Sequence, residues 1–351
     1  MKTRVGRLLI SGAILLVGLL ILELAFGNWL RPNRMNRLNL IRNARLTHDV
    51  SSLYEIPSGR ITYIRDQYGL RGHYDNPGAI DILTLGGSAT DQRYITEGST
   101  WQDVLSEDFA RSGRRVSVVN AGVDGQSTVG HIRDFDWWFP NVPGLKPKFF
   151  LYYVGFNDFF TRVAFDELVA APSLATSIKE SSALFGLFLK VRGTYRAMVV
   201  AQVGHTAVDF SKLEWTSEPQ HADHRALASE WLQRYRDRLR LLLTRTRAAG
   251  GTPICVTQPA RYYRVDGERV TGVAANLPFN GGSVNGVDYF LIMNGLHDAT
   301  LEICGEFRGL GIDAARKIEW TDADFYDYVH HTPQGARKLG DYLHSQLASA
   351  F

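Results

Sequence analysis

Short uninterrupted apolar runs punctuate the chain: Ile82–Leu85 (ILTL), Val116–Val119 (VSVV), Phe149–Val154 (FFLYYV) and Ile254–Thr257 (ICVT). None alternates apolar with polar positions, so each reads as a strand buried on both faces, the pattern of a parallel sheet. Helical periods lie between them. The clearest joins Leu227, Trp231, Leu232, Tyr235, Leu239, Leu242 and Leu243 into one stripe with arginines opposite. Gly250-Gly251 ends it and Pro253 follows. Thr332-Pro333 opens the last helix with a capping residue and a proline at the first helical position. Strand and helix alternating in this way predict a doubly wound α/β domain. Residues 161–223 break the rhythm, with an apolar stretch, Ser182–Val203, between polar segments. They are expected to form a helical insertion packed on the domain. Docking on a membrane surface is the alternative.

The longest apolar run is at the start. Residues 8–30 read LLISGAILLVGLLILELAFGNWL, enough to span a hydrocarbon core at about 1.5 Å per residue. Lys2, Arg4 and Arg7 precede it. It is long for a signal-peptide core, and no small-x-small cleavage site follows. The expectation is an uncleaved membrane anchor over 1–30, a basic linker over 31–59 and the main α/β domain over 60–351. Five arginines follow the span, which by positive-inside counting would hold the body in the cytoplasm. A seven-residue charged N-terminus ordinarily stays inside, so the body is expected on the extracytoplasmic (periplasmic) side. Arg31–Arg45 could lie on anionic headgroups or form a plain solvated linker.

Charge sharpens this division. The formal net charge is +3, yet residues 1–45 hold eight basic residues and one acid; the rest carries 31 basic and 35 acidic residues, a net of −4. A mildly acidic body argues against nucleic acid as a partner. The only cysteines, Cys255 and Cys304, lack metal-finger spacing, which excludes a fold built on disulfides or zinc and leaves their own pairing open.

Three small polar sites fall just past three of the strands: Ser88 after ILTLGG, Gly122 after VSVVNA and Asn157 after FFLYYVGF. The carboxyl ends of parallel strands share one edge, where ligands bind, so these residues should converge. A nucleophilic serine needs a base and donors for the oxyanion it creates. Ser88 on a Gly-Gly turn offers its hydroxyl and N–H, Gly122 an unshielded N–H, and Asn157 a side-chain amide. Asp327-Tyr328-Val329-His330, in the loop before the final helix, supplies a carboxylate to orient an imidazole and an imidazole to reach the serine.

On these blocks, GGSAT, NAG, GFND and DYVHHTPQG, the chain resembles the SGNH (GDSL-like) hydrolase family over roughly residues 60–160 and 225–350. The resemblance implies a flavodoxin-like three-layer α/β/α fold, ester hydrolysis without a cofactor, and catalysis by Ser88, Asp327 and His330 with an oxyanion hole of Ser88, Gly122 and Asn157. One departure is plain: the common Gly-Asp-Ser is Gly-Gly-Ser here, which puts the bracing of the loop in doubt. The segment YGLRG (Tyr68–Gly72) also resembles membrane-attached members near polysaccharide tailoring. The expected substrate is an acylated glycan bearing O-acetyl groups. O-acetyl transfer and lipid ester or thioester hydrolysis are alternatives on the same triad. A non-catalytic glycan-binding or assembly protein is the alternative from another class.

Plainer readings stand beside each residue. Ser88 alone could be a strand-end turn serine, Gly122 a turn glycine and Asn157-Asp158 a helix cap; Asp158 reads as structural. His331 could be mistaken for the base, but the spacing to Asp327 and Gly335 favours His330. A metal on Asp327, His330 and His331 is disfavoured, because adjacent histidines point apart. His221-Ala-Asp-His224 reads as solvated loop before a helix, and Asn280-Gly281-Gly282 as a flexible loop near the site without the Lys-Ser/Thr of a phosphate cradle. No GxSxG elbow occurs.

Overall fold

A computed structural model describes residues 2–29, 35, 38, 40–163, 168, 174–189, 191 and 205–351. The chain divides into two compact units, one of residues 1–38 and 169–205, the other of 39–168 and 206–351.

The larger unit is built on a five-stranded parallel sheet. Its strands are β3 (Ile82–Gly86), β4 (Val118–Asn120), β5 (Phe149–Val154), β7 (Thr252–Thr257) and β12 (Leu310–Ile312), in the spatial order β12-β7-β5-β3-β4. Counted along the chain this is 2-1-3-4-5 from the β4 edge, the flavodoxin-like order, whose direction reverses between β3 and β5. The four apolar runs thus form four strands. The fifth, at the edge, has only three residues and two of them exposed, so no buried pattern marks it.

Alternate residues of each strand serve opposite layers. Leu151 and Tyr153 of β5 join a core with Trp101, Leu105 and Phe109 of α3 (Trp101–Arg111) and Leu339, Leu343 and Leu347 of α10 (Pro333–Leu347). Phe150 and Tyr152 face the other way. Phe150 stacks on Phe135 of α4 (Thr128–Trp137), ring centroids 5.6 Å apart, and Tyr152 Oη lies 2.5 Å from Thr246 Oγ1 of α8 (His224–Ala248). Helix α9 (Gly286–Glu306) packs beside α8 and carries Cys304, which is disulfide-bonded to Cys255 of β7. The expected capping is present: Thr332 Oγ1 accepts from the Gly335 N–H, and Gly250 ends α8 with φ +83°.

Three boundaries differ from expectation. The stretch 31–59 is not all linker, because β1 (Ala44–Asp49) pairs antiparallel with β2 (Arg60–Arg65), and Val50 and Leu53 are buried beside Ile61 and Tyr63. Arg31, Arg34 and Arg37 lie outside the described residues. Residues 206–223 belong to the larger unit, whereas 169–205 group with the N-terminal segment. Asn280-Gly281 is no flexible loop: with φ of 47° and 87° it forms the tight turn of the hairpin β10 (Leu277–Phe279)–β11 (Gly282–Val284). The remaining strands, β6 (Trp215–Thr216), β8 (Tyr263–Asp266) and β9 (Arg269–Val273), make a small antiparallel sheet.

The smaller unit holds α1 (Lys2–Phe26), α6 (Leu174–Ser181) and α7 (183–189). Side chains of α1 are described for Gly6 and Ile10–Phe26, and the apolar ones are widely exposed. Among the described residues no helix is long and apolar enough to cross a membrane.

Candidate active site

The topological reversal sets the place of the site. Ser88 is the first residue of the short helix α2 (Ser88–Asp91) directly after β3, and Asn157 lies in α5 (Phe156–Phe159) directly after β5, the neighbouring strand. The first N–H groups of a helix have no intrahelical acceptor, so the Ser88 N–H is available at the sheet edge.

The side chains that meet Ser88 come from a loop 242 residues further along the chain. Ser88 Oγ donates to His330 Nε2 at 2.6 Å, and His330 Nδ1 donates to Asp327 Oδ2 at 2.6 Å. The second Asp327 oxygen accepts the backbone N–H groups of Val329 and His330 at 2.9 and 2.8 Å. Spacing of three residues lets one tight turn hold both side chains, since the carboxylate caps the amides that lead to its own histidine. Burial would raise the Asp327 carboxyl, but the His330 ring and these amides outweigh it and hold it below the ordinary value. Tyr326 stacks on the His330 ring, centroids 5.6 Å apart at 12°.

His331 points the other way. It is buried, its Nε2 pairs with Tyr153 Oη at 2.9 Å, and its ring stacks on Trp320. Burial pushes it down to about 4, so it sits neutral in the core. Adjacent residues on an extended segment face opposite sides, which is why only one of the pair meets Ser88. Asp158 is also structural: it accepts from Thr128 Oγ1 at 2.5 Å and pairs with buried Arg238. His221 is less solvated than expected, with Nε2 2.8 Å from the Ser283 carbonyl.

Gly122 requires a correction. Its N–H donates to Asn120 Oδ1 at 2.8 Å and its carbonyl accepts from Arg65 at 2.7 Å, so its amide is committed away from Ser88. A Cβ there would lie 2.3 Å from the Asp91 nitrogen, so this glycine serves close packing on α2. Three residues on, Gly125 is exposed, has φ +74°, and has no intramolecular acceptor for its N–H among the described residues. Next to it, the Gln126 carbonyl accepts from Asn157 Nδ2 at 2.7 Å, which fixes the side-chain amide and leaves its second hydrogen free.

The bracing put in doubt by Gly-Gly-Ser is supplied elsewhere. Arg65 donates to Asp91 at 2.5 Å as a buried ion pair, and Tyr63 Oη donates to the same oxygen at 2.7 Å. Arg71 of YGLRG donates to the carbonyls of Asp91, Gln92 and Ile95, and Asn120 Nδ2 donates to that of Thr90 at 2.6 Å. Two buried guanidiniums and an amide thus clamp the far end of the helix that bears Ser88. Arginines in a segment that otherwise reads as strand and turn were the available signal.

A family model described as the GDSL-like lipase/acylhydrolase family matches residues 84–338, which include Ser88, Asn157, Asp327 and His330. No curated protein matches the sequence. Among solved structures, the chain is similar to the psychrotrophic esterase EstA from Pseudoalteromonas sp. at 12% identity, covering 77% of this chain and 97% of that one with a TM-score of 0.42. It is similar to the lipase/acylhydrolase from Enterococcus faecalis at 15% identity, with 77% and 97% covered and a TM-score of 0.42. A variant of an acetyl-xylooligosaccharide esterase from Geobacillus stearmophilus matches at 14% identity, with 76% and 94% covered and a TM-score of 0.42.

Proposed function

The chain belongs to the GDSL-like lipase/acylhydrolase family and is a serine ester hydrolase, and from that premise we propose that it removes O-acetyl groups from a cell-envelope or secreted polysaccharide, outside the cytoplasm, while attached to the membrane through residues 8–30. The observation that carries the chemistry is the unbroken hydrogen-bond chain Ser88–His330–Asp327.

His330 Nε2 takes the Ser88 proton as Oγ attacks the ester carbonyl. The carbonyl oxygen becomes an oxyanion held by the Ser88 N–H and the free Asn157 amide hydrogen. Collapse breaks the bond to the alcohol, which leaves with the proton from His330. Water then repeats the sequence on the acyl-serine and releases the acid and free Ser88. Asp327 keeps the imidazole in the tautomer with its proton on Nδ1 and stabilises the cation that forms at each step.

The location is supported by the Cys255–Cys304 bond, because disulfides persist in oxidising compartments and are rare in the cytosol. A reporter active only outside the cytoplasm, fused after Phe351, tests it; activity of a cytoplasmic reporter instead would refute that location. The substrate class follows from the anchor reading, since an esterase held at the membrane would meet envelope esters at its own surface. The test is acetate release from an O-acetylated polysaccharide beside chromogenic esters of rising chain length. Acetyl esters should turn over best. A preference for long acyl chains with no acetate released would replace this reading with lipid ester hydrolysis.

A further inference from the structure

In the smaller unit, one carboxylate interrupts the apolar stretch of α1 that follows Arg7. Glu23 lies three residues before the end of α1, and its two oxygens accept hydrogen bonds from Ser182 Oγ at 2.6 Å, Ala183 N at 2.9 Å, Leu184 N at 3.1 Å and Trp29 Nε1 at 3.0 Å. The Asn28 N–H donates to the Ser181 carbonyl at 2.8 Å, closing the same joint from the other side. Three of the four donors to Glu23 come from the insertion, at the start of α7. Water would serve an exposed glutamate as well at no ordering cost. Protein donors on both oxygens are what a carboxylate needs where water is scarce.

The surfaces on either side of the joint match. Ile14, Leu15, Leu16 and Val17 of α1 are 56–68% exposed, and four consecutive helical residues sweep nearly the whole circumference. A helix apolar all round suits a lipid surround, since a single protein partner covers one stripe. Leu187, Phe188 and Leu189 of α7, with Val191 beyond it, continue this apolar surface at 45–61% exposure. In sequence Lys179, Lys190 and Arg192 flank the run, the charge sign that favours anionic headgroups.

We propose that α7 (183–189) with Val191 forms a second membrane-embedded element, lying at the headgroup–acyl boundary and clamped to the N-terminal anchor by Glu23. The proposal rests on the anchor reading of α1. It gives the insertion a bilayer as its occupant, and it attaches the protein to the membrane at two points of the sequence about 160 residues apart.

The test uses the full-length protein in vesicles of phosphatidylcholine and phosphatidylglycerol. Single cysteines at Leu187→Cys, Phe188→Cys, Leu20→Cys and Val265→Cys carry an environment-sensitive fluorophore. The native pair, disulfide-bonded and buried, does not label. Labels at 187 and 188 should shift to the blue and lose emission to acyl-brominated lipid, as the label at 20 does, while that at 265 on the body does neither. Water-like spectra at 187 and 188 with quenching at 20 would overturn the proposal and leave the anchor standing. Absence of quenching at 20 as well would overturn both. A blue shift at 187 and 188 without lipid quenching, accompanied by cross-links between copies, would assign the surface to a second copy and overturn it. Glu23→Leu in the same vesicles should abolish quenching at 187 and preserve it at 20; unchanged quenching at 187 would refute the clamp.

Discussion

Gly87 lies against the side chain of Asn157 so closely that a Cβ on it would be 2.1 Å from Asn157 Nδ2 and 3.0 Å from the Gln126 carbonyl. The second glycine of Gly-Gly-Ser is therefore required by the way this chain places its oxyanion donor. Gly87→Asp, which restores the common Gly-Asp-Ser, should displace Asn157 rather than repair anything. Its turnover should fall as far as that of Asn157→Ala, about 10²–10³-fold for one lost donor. Both losses should lie in kcat with KM little changed. A Gly87→Asp enzyme as fast as the parent would refute the steric argument.

His330 and His331 separate catalysis from packing. His330→Ala should abolish labelling of Ser88 by a serine-directed phosphonate and remove most turnover, because a serine hydroxyl is a poor nucleophile without its base. His331→Ala removes a buried ring and its bond to Tyr153, so it should lower the unfolding temperature by several degrees, for a loss of about 2–4 kcal/mol. Its folded fraction should still turn over. Kinetics on one acetyl ester, normalised to folded protein, decide between them; a dead His331→Ala beside an active His330→Ala reverses the assignment.

Two buried histidines tie stability to pH. His297, like His331, is pushed by burial down to about 4 from an ordinary value of 6.5, helped by nearby Arg316. The unfolded chain takes the proton near pH 6.5 and the folded one not until about pH 4, so stability is full above 6.5 and falls as pH drops through this window. His297→Gln removes one such proton. Between pH 7 and pH 5, urea unfolding should show the variant gaining about 2 kcal/mol relative to the parent. A constant difference would mean that His297 is charged when folded.

The Cys255–Cys304 bond closes a loop spanning 49 residues between a central strand and the helix packed on it. Replacing both cysteines by alanine should cost about 4 kcal/mol through the unfolded chain, on the loop-entropy account. Activity at low temperature should persist, because neither sulfur reaches the triad. Thermal unfolding of the pair variant beside the parent is the measurement, and equal stability would show that the bond contributes nothing.

Much of this site was legible because its parts are small polar residues placed directly after apolar strands, a pattern that topology alone converts into proximity. Ser88, Asn157 and the turn from Asp327 to His330 fall into this class. Gly122 does not. Whether an amide faces a site depends on a side chain two residues back, and Asn120 captures it, a contact no periodicity encodes. The edge strand at Leu310 is too short to carry a pattern. The pairing of β1 with β2 is masked because β1 is polar and largely exposed, while β2 alone buries Ile61, Tyr63 and Arg65 along one face. The joint between Glu23 and the start of α7 links segments far apart in sequence, and neither one advertises the other.

The nucleophile and its base are separated by 242 residues of chain. Ser88 is made well before the turn proposed to activate it, which lies just ahead of a helix whose leucines complete one layer of the core. A chain still emerging from the ribosome, or one cut before Asp327, holds a serine with no more reactivity than any other. Hydrolytic power therefore arrives all at once, with the closing of the fold, and measures whether the whole body has been assembled.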